Sequence, residues 1–65
     1  MYYNFYAELK KRNWKQSDLA NFLGITITTC NQKLLGNFSW DIKDIKKCLK
    51  EFNTTFEYLF ETKED

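Results

Sequence analysis

Residues Lys15 to Gly36 carry the side chains whose types and spacing could do chemistry. An amphipathic stretch around Leu19, Ala20 and Leu23 breaks at Gly24. The chain resumes over Ile27 to Leu35, where Thr28, Thr29, Asn31 and Gln32 give a polar outer face. Hydroxyl and amide groups both donate and accept hydrogen bonds. On the outer face of a helix they suit recognition rather than bond-breaking. Two short helices joined by a glycine turn form a helix-turn-helix, whose second helix can lie in the DNA major groove.

Catalysis has little to work with. The chain has no His, and no carboxylate pair falls in an evident cleft, so no acid–base or nucleophilic set can be assembled. An enzyme is not expected. Cys30 and Cys48 match no metal-ligand spacing. They read as buried thiols acting as small apolar residues, and the lack of a cysteine framework points to a reducing cytoplasm. No cofactor, metal or small-molecule ligand is expected.

The elements that must position the polar face are constrained by size. A chain of 65 residues makes one domain, residues 1–65. Such a chain hides only about 60% of the surface its unfolded form exposes. An aromatic content of 18% offsets this, because each ring hides a large apolar area. No apolar run is long enough to span a membrane, and the start lacks the basic and apolar regions of a signal peptide. Net charge is +1 but uneven. Residues 1–50 hold nine Lys or Arg against four acids, whereas residues 51–65 hold Lys63 against five acids. A basic body with an acidic end suits a nucleic-acid face on one side.

Proline is absent and helical spacing recurs, so the domain reads as all-α with five helices. The first spans about Asn4 to Arg12, with Tyr2, Phe5, Leu9 and Tyr6 inward, and Asn13 ends it in the left-handed conformation. Trp14 plugs the core, and Lys15 stands where Ser or Thr would cap better. The second, about Gln16 to Leu23, buries Leu19, Ala20 and Phe22 or Leu23. Gly24 turns the chain, Ile25 points inward, and Thr26 caps the third helix, about Ile27 to Leu35. Cys30 and Leu34 form its inner face and Gly36 stops it. Ser39 caps a fourth helix from about Trp40 to Phe52. Its apolar stripe is Ile42, Ile45, Cys48, Leu49 and Phe52, opposite Lys43, Lys46, Lys47 and Lys50. Thr55 caps a short fifth helix, with Phe56, Leu59 and Phe60 closing the core, and residues 62–65 are expected to fray.

This pattern resembles the Cro and lambda-repressor-like helix-turn-helix family of small phage regulators. The resemblance runs through Leu9 to Gln16, Leu19-Ala20, Leu23-Gly24-Ile25 and the Lys33-Leu34-Leu35-Gly36 ending of the third helix. It continues through Phe38 to Ile45 and Phe52 to Phe60, covering nearly the whole chain. Asn13 stands where the family usually has Gly, Lys15 where it has Ser or Thr, and Ile27 where polar residues are commoner.

The resemblance implies a compact lambda-repressor-like DNA-binding domain and a Cro-like transcriptional repressor of a phage or mobile element. Such a protein works in the cytoplasm of a bacterial host, with a double-stranded DNA operator as partner. The implied base contacts are Thr26, Ile27, Thr28, Asn31 and Gln32. Gln32 suits a bidentate bond to adenine N6 and N7, and Ile27 can pack on a thymine methyl. The implied phosphate contacts are Lys15, Gln16, Lys33, Asn37 and Lys43, with Gln16 at a helix start. Lys10, Lys11 and Arg12 solvate the first helix or add a long-range field. With Lys33 the one base between Gln16 and Asp41, non-specific affinity is expected to be low and strongly salt-sensitive. A homodimer would read a pseudo-palindrome, with Tyr2, Tyr3, Tyr6 and Tyr58 as candidate interface residues. The alternative is a protein-binding module on the same fold, such as an antirepressor or inhibitor, motivated by Ile27 and the low charge of the third helix.

Overall fold

The computed structural model describes residues 1–62. Five helices follow in order: α1 (Tyr3–Lys11), α2 (Gln16–Leu23), α3 (Ile27–Leu35), α4 (Ile42–Phe52) and α5 (Phe56–Leu59). Residues 63–65, most of the segment expected to fray, lie outside the described residues.

Local chemistry sets the helix ends. Asn13, Gly24, Gly36 and Asn53 all take positive φ, between 51° and 87°, immediately after or at the close of a helix. Asn and Gly tolerate that region best. Thr26 Oγ1 accepts from Thr29 N–H at the start of α3, and Thr55 Oγ1 accepts from Tyr58 N–H at the start of α5. Lys15 has no acceptor to offer α2. Its backbone N–H instead donates to the Asp18 carboxylate at 2.7 Å, the reverse half of a capping box.

Every helix supplies the core: Phe5 and Leu9, then Leu19, Ala20 and Leu23, then Cys30 and Leu34, then Cys48 and Phe52, then Leu59. Phe5 is fully buried, with ring centroids 5.1 Å from Trp40, 5.7 Å from Phe52 and 5.6 Å from Phe60. It thus joins α1 to α4, α5 and the loop before α4. Trp14 sits edge-on to both Phe22 and Phe52, bridging α2 and α4 as a plug should.

Two expectations need correction. The fourth helix begins at Ile42, two residues later than expected, and Ser39 does not cap it. Trp40 is drawn into the aromatic cluster, and its indole N–H donates to the Lys33 carbonyl, which keeps residues 37–41 out of helical register. Ile42 therefore stands 71% exposed rather than heading an apolar stripe. Phe56 also remains 48% exposed, stacked on the half-buried Phe60 instead of closing the core.

A buried acid ties the termini of the fold together. Glu8 is nearly inaccessible, and its carboxylate accepts from Arg12 at 2.6 Å, Tyr58 at 3.0 Å and Lys11 at 3.1 Å. Arg12 also donates to the Phe52 carbonyl and lies over the Phe52 ring. Arg12 is therefore a structural clamp joining α1 to α4, not a solvating charge. Burial pushes the Glu8 carboxyl up, but the bonds from Arg12, Lys11 and Tyr58 outweigh it, and the net pKa lies below that of an ordinary glutamate. A lowered folded-state pKa stabilises the fold above the unfolded value, and the gain is lost as pH falls through the folded one. Urea unfolding should therefore show stability declining below the usual glutamate range. Glu8→Gln should be less stable at pH 7, with a flatter decline between neutral and acid pH.

Candidate nucleic-acid interface

The polar face singled out by sequence lies on α3, and α3 is anchored from inside. Cys30 and Leu34 are fully buried. The Cys30 thiol lies 3.8 Å from the Gln16 carbonyl, which sets the first residue of α2 against the middle of α3. The Tyr2 N–H donates to the Leu34 carbonyl at the far end. With Gly24 in the left-handed region between them, α2 and α3 form an arrangement consistent with a helix-turn-helix.

Thr28, Asn31, Gln32 and Leu35 follow one another at the spacing that places residues on one helical face. Thr28 and Leu35 are exposed, and Asn31 and Gln32 are half-buried. Ile27 flanks them, 55% exposed. Thr26 is exposed, but its hydroxyl is engaged twice with Thr29, through the cap and through a 3.0 Å bond between hydroxyls. Leu35 was missed as a face residue. Its place seven residues after Thr28 is the signal that could have found it, hidden because leucine reads as core.

The expected phosphate contacts divide. Lys15 and Lys43 are exposed, and Gln16 is half-buried at the start of α2. Asp18 stands exposed in the first turn of α2, so that helix start already carries a negative charge. Asn37 lies in the loop after α3, where its amide donates to Gln32 Oε1 at 2.8 Å.

Lys33 departs from its expected place on the outer surface. It is buried, its ammonium donates to the Ser39 carbonyl at 2.7 Å, and it lies 5.6 Å from the centre of the Trp40 ring. Position 33 follows Cys30 by three residues and precedes Leu34, which puts it at the edge of the inner face. Its charge serves the α3–α4 loop. Lys47 is likewise more than a solvated charge: it donates to the Phe22 carbonyl at 2.6 Å and caps that ring.

The two thiols are enclosed. Burial pushes the Cys48 thiol up to about 12, with Asp44 and Cys30 adding to the effect, and burial raises Cys30 as well. Among the described residues no group of His, Cys, Asp or Glu could hold a metal ion, and no helix is long and apolar enough to cross a membrane.

Lys33→Met keeps the packed stem but leaves the Ser39 carbonyl without its charged donor. Hydrogen bonds to charged groups contribute about 1.5–3 kcal/mol. Urea unfolding of this variant should show a loss of that order, a cost that a freely solvated lysine would not produce.

Among known families, the model described as the BetR domain aligns with residues 7–65. The BetR domain is a small helical domain of the DNA-binding, regulatory type. No curated protein and no solved structure matches the chain.

Proposed function

This chain belongs to the BetR domain family, and on that premise we propose that it is a sequence-specific DNA-binding transcriptional regulator. The finer reading is a Cro-like repressor of a phage or mobile element, acting in the bacterial cytoplasm by occupying an operator. One observation carries it. The outer face of α3 presents Thr28, Asn31 and Gln32, with Ile27 beside them, while the inner face is fixed to the rest of the fold. A rigid helix with amide and hydroxyl groups outward suits reading of major-groove base edges. Lys15, Gln16 and Lys43 would hold phosphates on either side.

A second reading, a protein-binding module on the same fold, is favoured by the apolar side chains around that face. Ile27, Leu35 and Phe38 are all exposed, and Lys33 contributes no surface charge. Ile27→Ala combined with Gln32→Ala separates the readings. Loss of partner binding with unchanged DNA affinity would decide for the protein module.

A homodimer would let two copies of α3 read half-sites about one helical turn apart. Tyr3 and Phe56 are exposed on α1 and α5, and Asn4 joins those helices through the Tyr58 carbonyl. Tyr58 is less free for such a contact than expected, because its hydroxyl is bound to Glu8.

The deciding experiment is selection from a random duplex DNA library at physiological salt. An enriched pseudo-palindrome is the expected result. No enrichment by protein shown to be folded would overturn the DNA reading. On the selected site, Gln32→Ala should cost about 1–3 kcal/mol. Affinity should fall with salt at a log–log slope of about −2 per domain, if Lys15 and Lys43 each neutralise one phosphate. That is shallower than the strong salt sensitivity expected with Lys33 on the surface. Fluorescence anisotropy across a salt series reads both quantities.

A further inference from the structure

Gln32 is gripped from one side by the loop that follows α3. Asn37 Nδ2 donates to Gln32 Oε1 at 2.8 Å, and the backbone N–H groups of Asn37 and Phe38 both donate to the Gln32 carbonyl. Gly36, at φ 87°, makes the sharp turn that brings Asn37 back over the helix end. The Gln32 amide is thereby held with its oxygen toward Asn37. Its nitrogen, on the same planar carbon, carries two N–H donors.

This orientation changes what Gln32 can read. A bidentate match to adenine needs one donor and one acceptor from the same amide, for N7 and N6 respectively. Oε1 already accepts from Asn37, which leaves the two Nε2 hydrogens as the least committed groups of the amide. Guanine presents two acceptors, N7 and O6, in the major groove and offers no donor there. We propose that Asn37 is a positioning residue that sets the base preference of Gln32, turning it from an adenine reader into a guanine reader. Asn37 acts through the amide of Gln32. This inference rests on the DNA-binding reading of α3 given above.

Asn37→Asp tests it, because a carboxylate cannot donate to Gln32 Oε1. It accepts from Gln32 Nε2 instead and turns the amide oxygen outward, where it suits the N4 donor of cytosine or the N6 donor of adenine. Asn37→Ala releases the amide altogether and makes the adenine match available again. Asn37 is exposed, so neither change opens the core. Circular dichroism would verify the fold of both variants before library selection is repeated with each.

The expected result is guanine at one position of the wild-type half-site. Preference for it over adenine should drop by about tenfold or more in Asn37→Asp, with the remaining positions unchanged. A merely structural role for Asn37 would weaken binding evenly and leave the preference intact. The same base at every position in all three proteins would overturn the role of Asn37 while leaving the DNA-binding function standing. Adenine at that position in the wild type would do the same. Failure of the folded wild-type protein to enrich any site would overturn both.

Discussion

Burial of one phenyl ring, Phe5, is the constraint on which most of the structure depends. A chain this short has little interior, and aromatic side chains fill it with the fewest residues. Phe5 meets Trp40, Phe52 and Phe60, three rings drawn from the loop before α4, from α4 itself and from the end of α5. Tyr2 adds a further edge-on contact to Trp40 and Phe60. The segment holding Trp40 is thus pulled inward, and the residues around it follow. Ser39 is placed where its carbonyl meets Lys33, and the Trp40 indole reaches the Lys33 carbonyl. The position of α3 is set in part by the aromatic cluster that its C-terminal half meets at Trp40.

The polar contacts extend that frame where apolar area runs out. Glu8 gathers Arg12, Lys11 and Tyr58, and Arg12 passes the connection to the last residue of α4. Lys47 ties α4 to the end of α2. Cations that a surface view would assign to solvent are spent on backbone carbonyls at helix ends, where the helix dipole favours positive charge. The outer face of α3 is correspondingly poor in charge, so recognition there depends on hydrogen-bond pattern and shape.

The legible parts of this fold were those decided locally. Asn13, Gly24 and Gly36 announce helix ends because few other residues tolerate positive φ, and Thr26 and Thr55 announce starts because their hydroxyls reach back to the first turn. Cys30 and Leu34 follow from helical spacing. What escaped the sequence depends on distant partners. Helical periodicity runs smoothly from Trp40 into α4, and the docking of Trp40 against Phe5 and its bond to the Lys33 carbonyl break it. Lys33 reads as polar surface until the Ser39 carbonyl is seen beside it. Glu8 has suitably spaced partners in Lys11 and Arg12, but its burial requires Tyr58, fifty residues away. The face of α3 was legible in Thr28, Asn31 and Gln32, whereas the tie between Gln32 and Asn37 needed the geometry of the Gly36 turn.

The enclosed thiols give this small domain a built-in clock. Cys30 and Cys48 are both fully buried, one on α3 and one on α4, and the proton of Cys48 is held up to about pH 12. Alkylating agents and oxidants attack the thiolate, so the closed molecule offers them almost nothing at neutral pH. An excursion that opens the common core exposes them as ordinary cysteines. When closing outpaces labelling, the rate of modification equals the intrinsic thiol rate multiplied by the fraction of time spent open. The buried thiol of Cys30 thus reports how often the core around α3 opens.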